Sequence, residues 1–448
     1  MISDRALKGI LRSDRLVALL GDLIRAALGG VVLIAVVLWV LYYSRIARFM
    51  VTRLAMNDFG RFYYSARLFL DGHDMYGASP ATFAVLAPNV THPFWNMNPP
   101  HFHLPLLMLA MLSPGQALAA WALASLASLG GSLFLIAKEI GIRINVVRAL
   151  WTLLALLTFA ATGTLIVTGQ VSLLLLGPVT LAWLAARRGN WTRAGVWLGL
   201  AMSVKPFLLI FVPYLLVRRR FFAAVTALLV VAGAFALGLT VFGLAAHLAW
   251  LRALESTDWT WAAMNGSFLG VLSRTLSESP YFTPLVSAPG LVRPLWLCAA
   301  LAAGVLTLLA ARWGETPEAV DRGFVLVLVG AQLVSPLGWI YYFWLPIGPA
   351  ASLLANWIRR RRQAAASRGT NLTTTRSRDL LLWASLPGLM WPLGLVTWHQ
   401  PSPWATVTVG SAYFWATLLV WTGVLVDAFG SRADRPRPPY LTNTRPGL

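Results

Sequence analysis

Residues 27–44 read ALGGVVLIAVVLWVLYYS and contain no charged side chain. A helix of about 20 apolar residues crosses the hydrocarbon core of a bilayer, so this stretch predicts a membrane-spanning helix. Basic residues precede it, and no small-x-small cleavage site follows it. We therefore expect an uncleaved anchor, with residues 5–25 lying as an amphipathic helix on the cytoplasmic leaflet.

The composition extends this prediction to the whole chain. The 448 residues are 58% hydrophobic and only 12% charged, whereas soluble domains carry about 25% charged residues. These values exclude an ordinary soluble enzyme and a disordered protein. The net charge of +20 does not indicate a nucleic-acid partner at this hydrophobicity. The single cysteine, Cys298, excludes a disulfide framework and a cysteine-based zinc site.

Further apolar stretches have the length of membrane-spanning helices. They are residues 115–137, 146–167, 170–186, 221–243, 291–311, 323–337, 338–357, 380–398 and 404–426. The segment 101–113 is short and lies between prolines, and 191–217 is interrupted by Lys205-Pro206. We predict an all-α, polytopic bundle of about 10–13 membrane helices, including short or re-entrant ones.

The lysine and arginine clusters set the orientation, because such clusters stay in the cytoplasm. All clusters lie inside if 191–217 is a hairpin whose tip points outward and 101–113 does not cross. Both termini are then cytoplasmic, in the cell (inner or plasma) membrane. This gives an N-terminal segment 1–26, a single transmembrane domain 27–426 and a basic tail 427–448.

Two long loops then lie outside, at residues 45–100 and 244–290. The short turns at Gly169-Gln170 and Ser335-Pro336 face the same side. Long loops without regular structure are usually functional, so we expect the water-accessible site here.

Acidic residues are scarce: the chain has 16, and none is predicted in the middle of a span. That argues against an ion-coupled transporter. Six acids are expected outside: Asp58, Asp71, Asp74, Glu255, Asp258 and Glu278. Asp58 is the best candidate for chemistry, in the stretch MNDFGRFYY at 56–64. The alternative is a solvated acid that pairs with Arg61 or Arg53.

Several short motifs occur in a characteristic order along residues 55–345. They are Asp58-Phe59, Tyr63-Tyr64, Gly72-His73-Asp74, Asn98-Pro99-Pro100, Gly169-Gln170-Val171, Lys205-Pro206, Asn265-Gly266-Ser267 and Ser335-Pro336 with Trp339. In this order the chain resembles glycosyltransferase family 87. Its members include polyprenyl-phosphate-mannose-dependent mannosyltransferases with the GT-C membrane fold.

The resemblance implies an inverting glycosyltransferase on the outer face. It would move a sugar, with mannose preferred, from a polyprenyl-phosphate donor to a lipid-linked glycan acceptor. Asp58 would be the general base, since a single displacement needs one carboxylate and a stabilised leaving group. Lys205, Arg274 and Arg61 would bind the donor phosphate. For Lys205 the alternative is snorkelling to outer headgroups.

Sugar contacts are expected from aromatic, imidazole and amide side chains. The candidates are Tyr63, Tyr64, His101, Gln170, Trp261 and Asn265. A belt of interfacial aromatic residues is the alternative for many of the 21 tryptophans. No Asp-x-Asp pair or glycine-rich phosphate loop occurs, so we predict no metal and no diffusible cofactor.

The sequence departs from the family pattern at two places. Tyr341 and Tyr342 stand where related sequences tend to have histidine, and Asn98 replaces an aromatic residue before the double proline. Two other functions remain open: a translocator of lipids or lipid-linked glycans, and a GT-C-type glycan ligase.

Overall fold

A computed structural model describes residues 4–52, 57–77, 96–143, 145–255, 259–279, 281–366, 373–390 and 402–433. Regular structure in these ranges is helical, and the described residues contain one isolated β-bridge, between Asn265 and Trp339. The all-α prediction is confirmed. Asp258, residues 391–398 of one expected span and residues 434–448 of the basic tail lie outside the described residues.

The helices of the described ranges are numbered here in chain order. They are α1 Asp4–Thr52, α2 Asn57–Leu70, α3 Leu104–Ala110, α4 Pro114–Ile140, α5 Val146–Thr158, α6 Ala160–Thr168, α7 Ser172–Arg187, α8 Trp191–Val204, α9 Phe211–Val217, α10 Phe221–Glu255, α11 Phe268–Leu276, α12 Val292–Ala311, α13 Pro317–Val334, α14 Ile347–Ala366, α15 Thr373–Leu389, α16 Pro403–Val407 and α17 Ala412–Ala433. Short 3₁₀ turns join several of them, including those at Pro206–Ile210 and Ile340–Trp344.

Five stretches of the described chain are apolar and long enough to cross a bilayer. They are Ala26–Phe49, Pro114–Ile140, Phe221–Glu255, Pro289–Ala311 and Pro403–Gly430. The pair α5 and α6 forms a sixth candidate, bent by 66° at its break. Helices occupy the other expected positions as well, but they are shorter or less apolar. The chain is therefore a multi-pass membrane protein.

The interruptions between helices follow from particular residues. Lys205 adopts extended backbone angles of φ −133° and ψ 98° because the ring of Pro206 disfavours a helical conformation in the residue before it. Gly169 ends α6 in the left-handed region, at φ 67°, where glycine is tolerated best. Gly141 ends α4 in the same way, at φ 71°.

Residues 191–217 form the expected hairpin. The guanidinium of Arg218 lies 5.1 Å from the ring centre of Trp191, and that of Arg220 lies 5.0 Å from the same ring. The start of α8 and the end of α9 are therefore adjacent, and Lys205 is at the opposite end, at the tip. The shape predicted from Lys205-Pro206 is confirmed, whereas the side of the membrane that the tip faces remains a prediction.

Several of the basic clusters assigned to the cytoplasm lie together at one end of the described bundle. Arg187 of α7 forms salt bridges with Glu139 of α4 and with the fully buried Asp321 of α13. Arg360 of α14 reaches Glu318 of α13, 2.6 Å away. A buried carboxylate requires such a partner, because an unpaired charge is costly to desolvate. These pairs connect helices at the end that the charge pattern places inside.

The two expected outer loops contain more helix than the sequence suggested. Helix α1 continues to Thr52, and α2 occupies Asn57–Leu70 within the segment 45–100. Helix α10 passes a kink at Gly243 and runs to Glu255, and α11 occupies Phe268–Leu276 within 244–290. Helical segments keep backbone groups satisfied close to lipid, which an irregular loop does not achieve.

The topology is tested by cysteine labelling in a Cys298→Ser background. A membrane-impermeant maleimide should label Lys205→Cys in intact cells and should label Arg219→Cys only after permeabilisation. Residue 219 is exposed next to the paired ends of the hairpin, so it serves as the matched opposite site. The reverse labelling pattern would show that the assigned orientation is wrong.

Candidate active site

A cavity of about 510 Å³ opens between the breaks of the bundle. Its walls come from both expected outer loops, from the turns near Gln170 and Ser335, and from the hairpin tip at Lys205. The sequence placed all of these segments on one side of the membrane, and the structure brings them together. The cavity is therefore the candidate active site.

Asp58 lies in the first turn of α2 and is buried, with only 5% of its surface exposed. Gln170 Nε2 donates a hydrogen bond to its Oδ2 at 2.9 Å. Arg61, one turn further along α2, forms a salt bridge with Oδ1. The opposite charge favours the ionised carboxylate, the form that accepts a proton.

Gln170 is placed by the turn before it. The left-handed Gly169 reverses the chain between α6 and α7, and Trp121 Nε1 donates to its carbonyl oxygen at 2.9 Å. Gln170 Oε1 accepts from the backbone N–H of Val171 at 3.0 Å, and Nε2 also donates to the Tyr341 hydroxyl at 3.1 Å. Both ends of the amide are thus fixed, and the side chain links Asp58 to Tyr341.

Lys205 enters the cavity from the hairpin tip. Its Nζ donates to Asn98 Oδ1 at 2.6 Å and lies 5.9 Å from the ring centre of Tyr342. Within the described ranges Lys205 makes no salt bridge with a carboxylate. The protonated Lys205 therefore faces a neutral amide and an aromatic ring, and its ammonium group is available to an anionic ligand.

The charged side chains on the described cavity wall are Asp58, Arg61 and Lys205. With Lys205 protonated they give one more positive than negative charge. Burial and the neighbouring Arg61 lower the pKa of Lys205 to about 7, so a bound anion would hold it in the ammonium form. Burial lowers the pKa of Arg61 to about 10, so the guanidinium stays protonated at neutral pH. The cavity therefore suits a singly charged anion beside an ionised acid.

Aromatic rings form another part of the wall. Trp261 stacks on Tyr281 with ring centres 5.3 Å apart, and Trp259 lies 5.5 Å from Trp261. Trp339 stacks on Tyr341 at 6.1 Å. Flat rings of this kind bury the apolar faces of sugars, and their polar edges remain available for hydrogen bonds.

The cavity brings together five of the side chains singled out from the sequence. They are Asp58, Arg61, Gln170, Lys205 and Trp261.

Tyr63, Tyr64 and His101 lie beside the cavity rather than on its wall. The Tyr63 hydroxyl donates to the carbonyl oxygen of Leu112 at 2.8 Å, and its ring packs edge-on against Tyr64. His101 Nε2 donates to the carbonyl oxygen of Ser203 at 2.6 Å. Burial lowers the pKa of His101, which favours the neutral ring. In this structure these side chains support the segments that carry the wall.

Asn265 is fully buried and bonds only to backbone groups. Its Nδ2 donates to the carbonyl oxygens of Thr260 and Pro336, both at 2.9 Å, and its Oδ1 accepts from the N–H of Gly338 at 2.9 Å. The Asn265 amide thus joins the two chain segments, around Thr260 and around Pro336, that carry the tryptophans of the cavity wall. Its sequence-based role as a sugar ligand stays a prediction, with no support from this position.

Arg274 is also fully buried and does not line the cavity. Its Nη1 donates to the carbonyl oxygens of Ala262 at 2.8 Å and Asn265 at 3.1 Å, and its Nε donates to Ser411 Oγ at 3.2 Å. The guanidinium ties α11 to the turn at 259–265 and to the segment before α17. These contacts give Arg274 a structural role, in which it holds the three segments together as a clamp. Phosphate binding by Arg274 stays a sequence-based prediction.

Sequence reasoning missed Asn98, Tyr341 and Tyr342 as site residues, although it singled out all three as departures from the family pattern. Each of them lines the cavity, and each contacts Gln170 or Lys205. The sequence therefore contained a signal for these residues: the three positions that depart from the family pattern lie beside Gln170 or Lys205.

The helical membrane architecture places a buried carboxylate, Asp58, in one cavity with the cationic side chains Arg61 and Lys205. Residues 96–336, more than half of the chain, match Glycosyltransferase family 87. The chain belongs to this family.

Named relatives are mycobacterial enzymes. A polyprenol-phosphate-mannose-dependent alpha-(1-2)-phosphatidylinositol mannoside mannosyltransferase of Mycolicibacterium smegmatis is 29% identical over 269 residues, which cover 56% of this chain and 55% of that protein. The corresponding pentamannoside mannosyltransferase of Mycobacterium tuberculosis (strain CDC 1551 / Oshkosh) is 26% identical over 281 residues, 61% of this chain and 59% of that protein. The chain thus matches little more than half the length of these relatives.

Among solved structures, ArnT from Cupriavidus metallidurans bound to undecaprenyl phosphate is similar to 88% of this chain, which covers 77% of ArnT. The TM-score is 0.37 and the sequence identity is 15%. A likeness at this level supports no conclusion about the fold or the ligand.

The clamp role of Arg274 is tested by Arg274→Met. This change leaves the carbonyl oxygens that it binds without a donor, and we expect a loss of about 2–4 kcal/mol in stability, measured as a lower melting temperature in detergent. Arg193→Met, at an exposed arginine in α8, is the matched control and should melt like the wild type. An unchanged melting temperature, together with weaker binding of polyprenyl phosphate, would favour the phosphate role instead.

Proposed function

We propose that this protein is an inverting glycosyltransferase that moves a sugar, with mannose preferred, from a polyprenyl-phosphate donor to a lipid-linked glycan acceptor. The observation that carries the proposal is one buried carboxylate, Asp58, in the same cavity as Arg61 and Lys205. Family membership supplies the reaction class. The geometry of the site supplies the roles of the residues.

Asp58 is the proposed general base. A single displacement with inversion needs one carboxylate to take the proton of the acceptor hydroxyl, whereas a retaining enzyme would use two carboxylates about 5 Å apart. Asp58 is the one acid on the described cavity wall. Gln170 and Arg61 hold its two oxygens, so the carboxylate presents a fixed direction to the acceptor.

The leaving group is a polyprenyl phosphate, which needs stabilisation of negative charge and no proton. Lys205 is the proposed principal contact, because its ammonium group faces the cavity with a neutral amide as its hydrogen-bond partner. Arg61 is the second contact. When the bond between the sugar and the phosphate oxygen breaks, its electron pair stays on that oxygen, and negative charge builds on the polyprenyl phosphate. Both cations therefore stabilise the departing phosphate more than the intact donor.

The net charge of the cavity wall also indicates whether the lipid carrier of the sugar is a monophosphate or a diphosphate. A glycosyl phosphodiester carries one negative charge, which matches the described wall, whereas a diphosphate carrier brings at least two. Desolvated charges need partners, so the match favours a monophosphate donor over the diphosphate carrier that a glycan ligase would use.

We assign sugar binding to the aromatic wall of Trp259, Trp261 and Tyr281, together with Trp339, which also lines the cavity. The choice of mannose rests on the names of the relatives, which are mannosyltransferases dependent on polyprenol-phosphate-mannose. The same names suggest a mannosylated phosphatidylinositol as the first acceptor to test.

A translocator would need a polar path across the bundle. The described core next to the cavity is instead aromatic: Phe207 packs on Tyr342 at 4.6 Å between ring centres, and the buried Phe211 packs on Phe324 at 5.2 Å. The buried Asp321 at the other end is occupied by its salt bridge with Arg187. These observations favour an enzyme over a translocator.

We place the cavity on the outer face, with both termini in the cytoplasm, because the described basic clusters lie at the other end of the bundle. The donor and acceptor would then reach the cavity as lipids, with their headgroups in the cavity and their chains in the bilayer. The proposed partners are these two lipids and the surrounding membrane lipids.

The proposed reaction is tested with purified protein, polyprenyl-phosphate mannose and a panel of glycolipids, with products identified by mass. Asp58→Asn should reduce transfer at least about a thousandfold, because an amide cannot accept the proton, and should leave donor binding in place. Asp71→Asn removes an exposed acid of the same segment, paired with Arg67, and is the matched control. An active Asp58→Asn enzyme would contradict the mechanism.

The role of Lys205 is tested by Lys205→Met, which retains length and removes the charge. We expect the KM for the donor to rise about tenfold or more while the KM for the acceptor changes little, since a charge-assisted contact to phosphate is lost. Lys138→Met, at the far end of α4, is the control. Unchanged donor kinetics in Lys205→Met would show that the lysine does not contact the phosphate.

A further inference from the structure

Asn98 contacts the proposed phosphate-binding lysine directly. Its Oδ1 accepts from Lys205 Nζ at 2.6 Å, and its side chain is buried with 4% of its surface exposed. A lysine has four rotatable bonds and no fixed direction of its own, so a buried acceptor at this distance determines where the ammonium group lies. The acceptor is a neutral amide, which orients the cation without neutralising it.

The Asn98 side chain is fixed in turn by Asn96. Asn98 donates to Asn96 Oδ1 from its Nδ2 and from its backbone N–H, both at 3.1 Å. The carbonyl oxygen of Asn98 accepts from the Tyr76 hydroxyl at 2.6 Å. With Nδ2 engaged in this way, the amide presents its oxygen, and not its N–H groups, to Lys205.

Asn96 connects the pair to the helix that carries the proposed base. Its Nδ2 donates to Ser65 Oγ at 2.8 Å and to His103 Nε2 at 2.7 Å. Burial lowers the pKa of His103 to about 3, so the ring is neutral and its Nε2 accepts a hydrogen bond. Ser65 follows Asp58 by seven residues, two turns of α2, and the two residues therefore share one face of that helix.

We infer that Asn98 is a positioning residue of this donor site, and that the chain Lys205–Asn98–Asn96–Ser65 sets the ammonium group at a fixed place relative to Asp58. The inference rests on the proposed function. It assigns to the position before the double proline a role in binding the phosphate of the donor. The hairpin tip and α2 belong to separate parts of the chain, and this chain of hydrogen bonds joins the ammonium group to α2 directly.

The amide is also a determinant of ligand charge. An aspartate at position 98 would have nearly the same shape, but its carboxylate would pair with Lys205 and compete with the phosphate. Asn98→Asp should therefore weaken binding of polyprenyl phosphate at least about tenfold. Asn98→Ala, which releases the lysine without competing for it, should weaken binding by a smaller factor.

The test measures equilibrium binding of undecaprenyl phosphate to purified protein in nanodiscs, with no transfer reaction required. Four proteins form a cycle: the wild type, Asn98→Ala, Lys205→Met and the double variant. If Asn98 acts through Lys205, Asn98→Ala has little further effect once the lysine is gone. Asn190→Ala, which removes an asparagine that caps the opposite end of α8, is the matched control and should bind like the wild type.

The outcomes separate the two proposals. A wild-type protein that fails to bind undecaprenyl phosphate contradicts the proposed donor, and the positioning role falls with it. If the wild type binds, then equal binding by Asn98→Asp, or an additive effect in the double variant, overturns the positioning role alone. Melting temperatures of all variants identify a loss of folding, and Asn98→Ala then gives a second measurement in which no charge is introduced.

Discussion

Irregular backbone is excluded from lipid because its N–H and C=O groups find no water there, and this constraint shapes the whole molecule. Each break in the helices needs a place where those groups are satisfied by protein or by a wet cavity. The turn at Gly169, the extended Lys205 and the segment 335–339 are such breaks, and all three meet at one cavity. The candidate site therefore lies where the helices are interrupted.

Buried charged groups need partners for the same reason, because lipid and protein interior do not solvate them. Acids and bases at the basic end of the bundle are paired with one another, as in the network of Arg187, Asp321 and Glu139. At the cavity the pairing is incomplete: Asp58 has Arg61, but Lys205 has only the neutral oxygen of Asn98 among the described residues. A partly buried lysine whose hydrogen-bond partner is a neutral amide is held in its charged form by a bound anion, and that is the physical reason to assign it an anionic substrate.

The substitutions that distinguish this chain from the family pattern are part of one arrangement. Tyr341 accepts a hydrogen bond from the glutamine that holds Asp58, and Tyr342 lies against Lys205. Two neighbouring tyrosines thus support the proposed base and the proposed phosphate contact at once.

The amino-acid sequence predicted the membrane class, the helices, the hairpin shape at Lys205-Pro206 and Asp58 as the candidate base, because apolar length, proline chemistry and the scarcity of acids can be read from the chain without its fold. It could not rank Arg274 and Asn265 against Asn98. An arginine or an amide in an outer loop has the same sequence signature whether it faces a substrate or a backbone carbonyl. The fold distinguishes them, because each of these side chains also contacts a group 70 or more residues away along the chain, and packing alone sets which polar groups remain for a ligand.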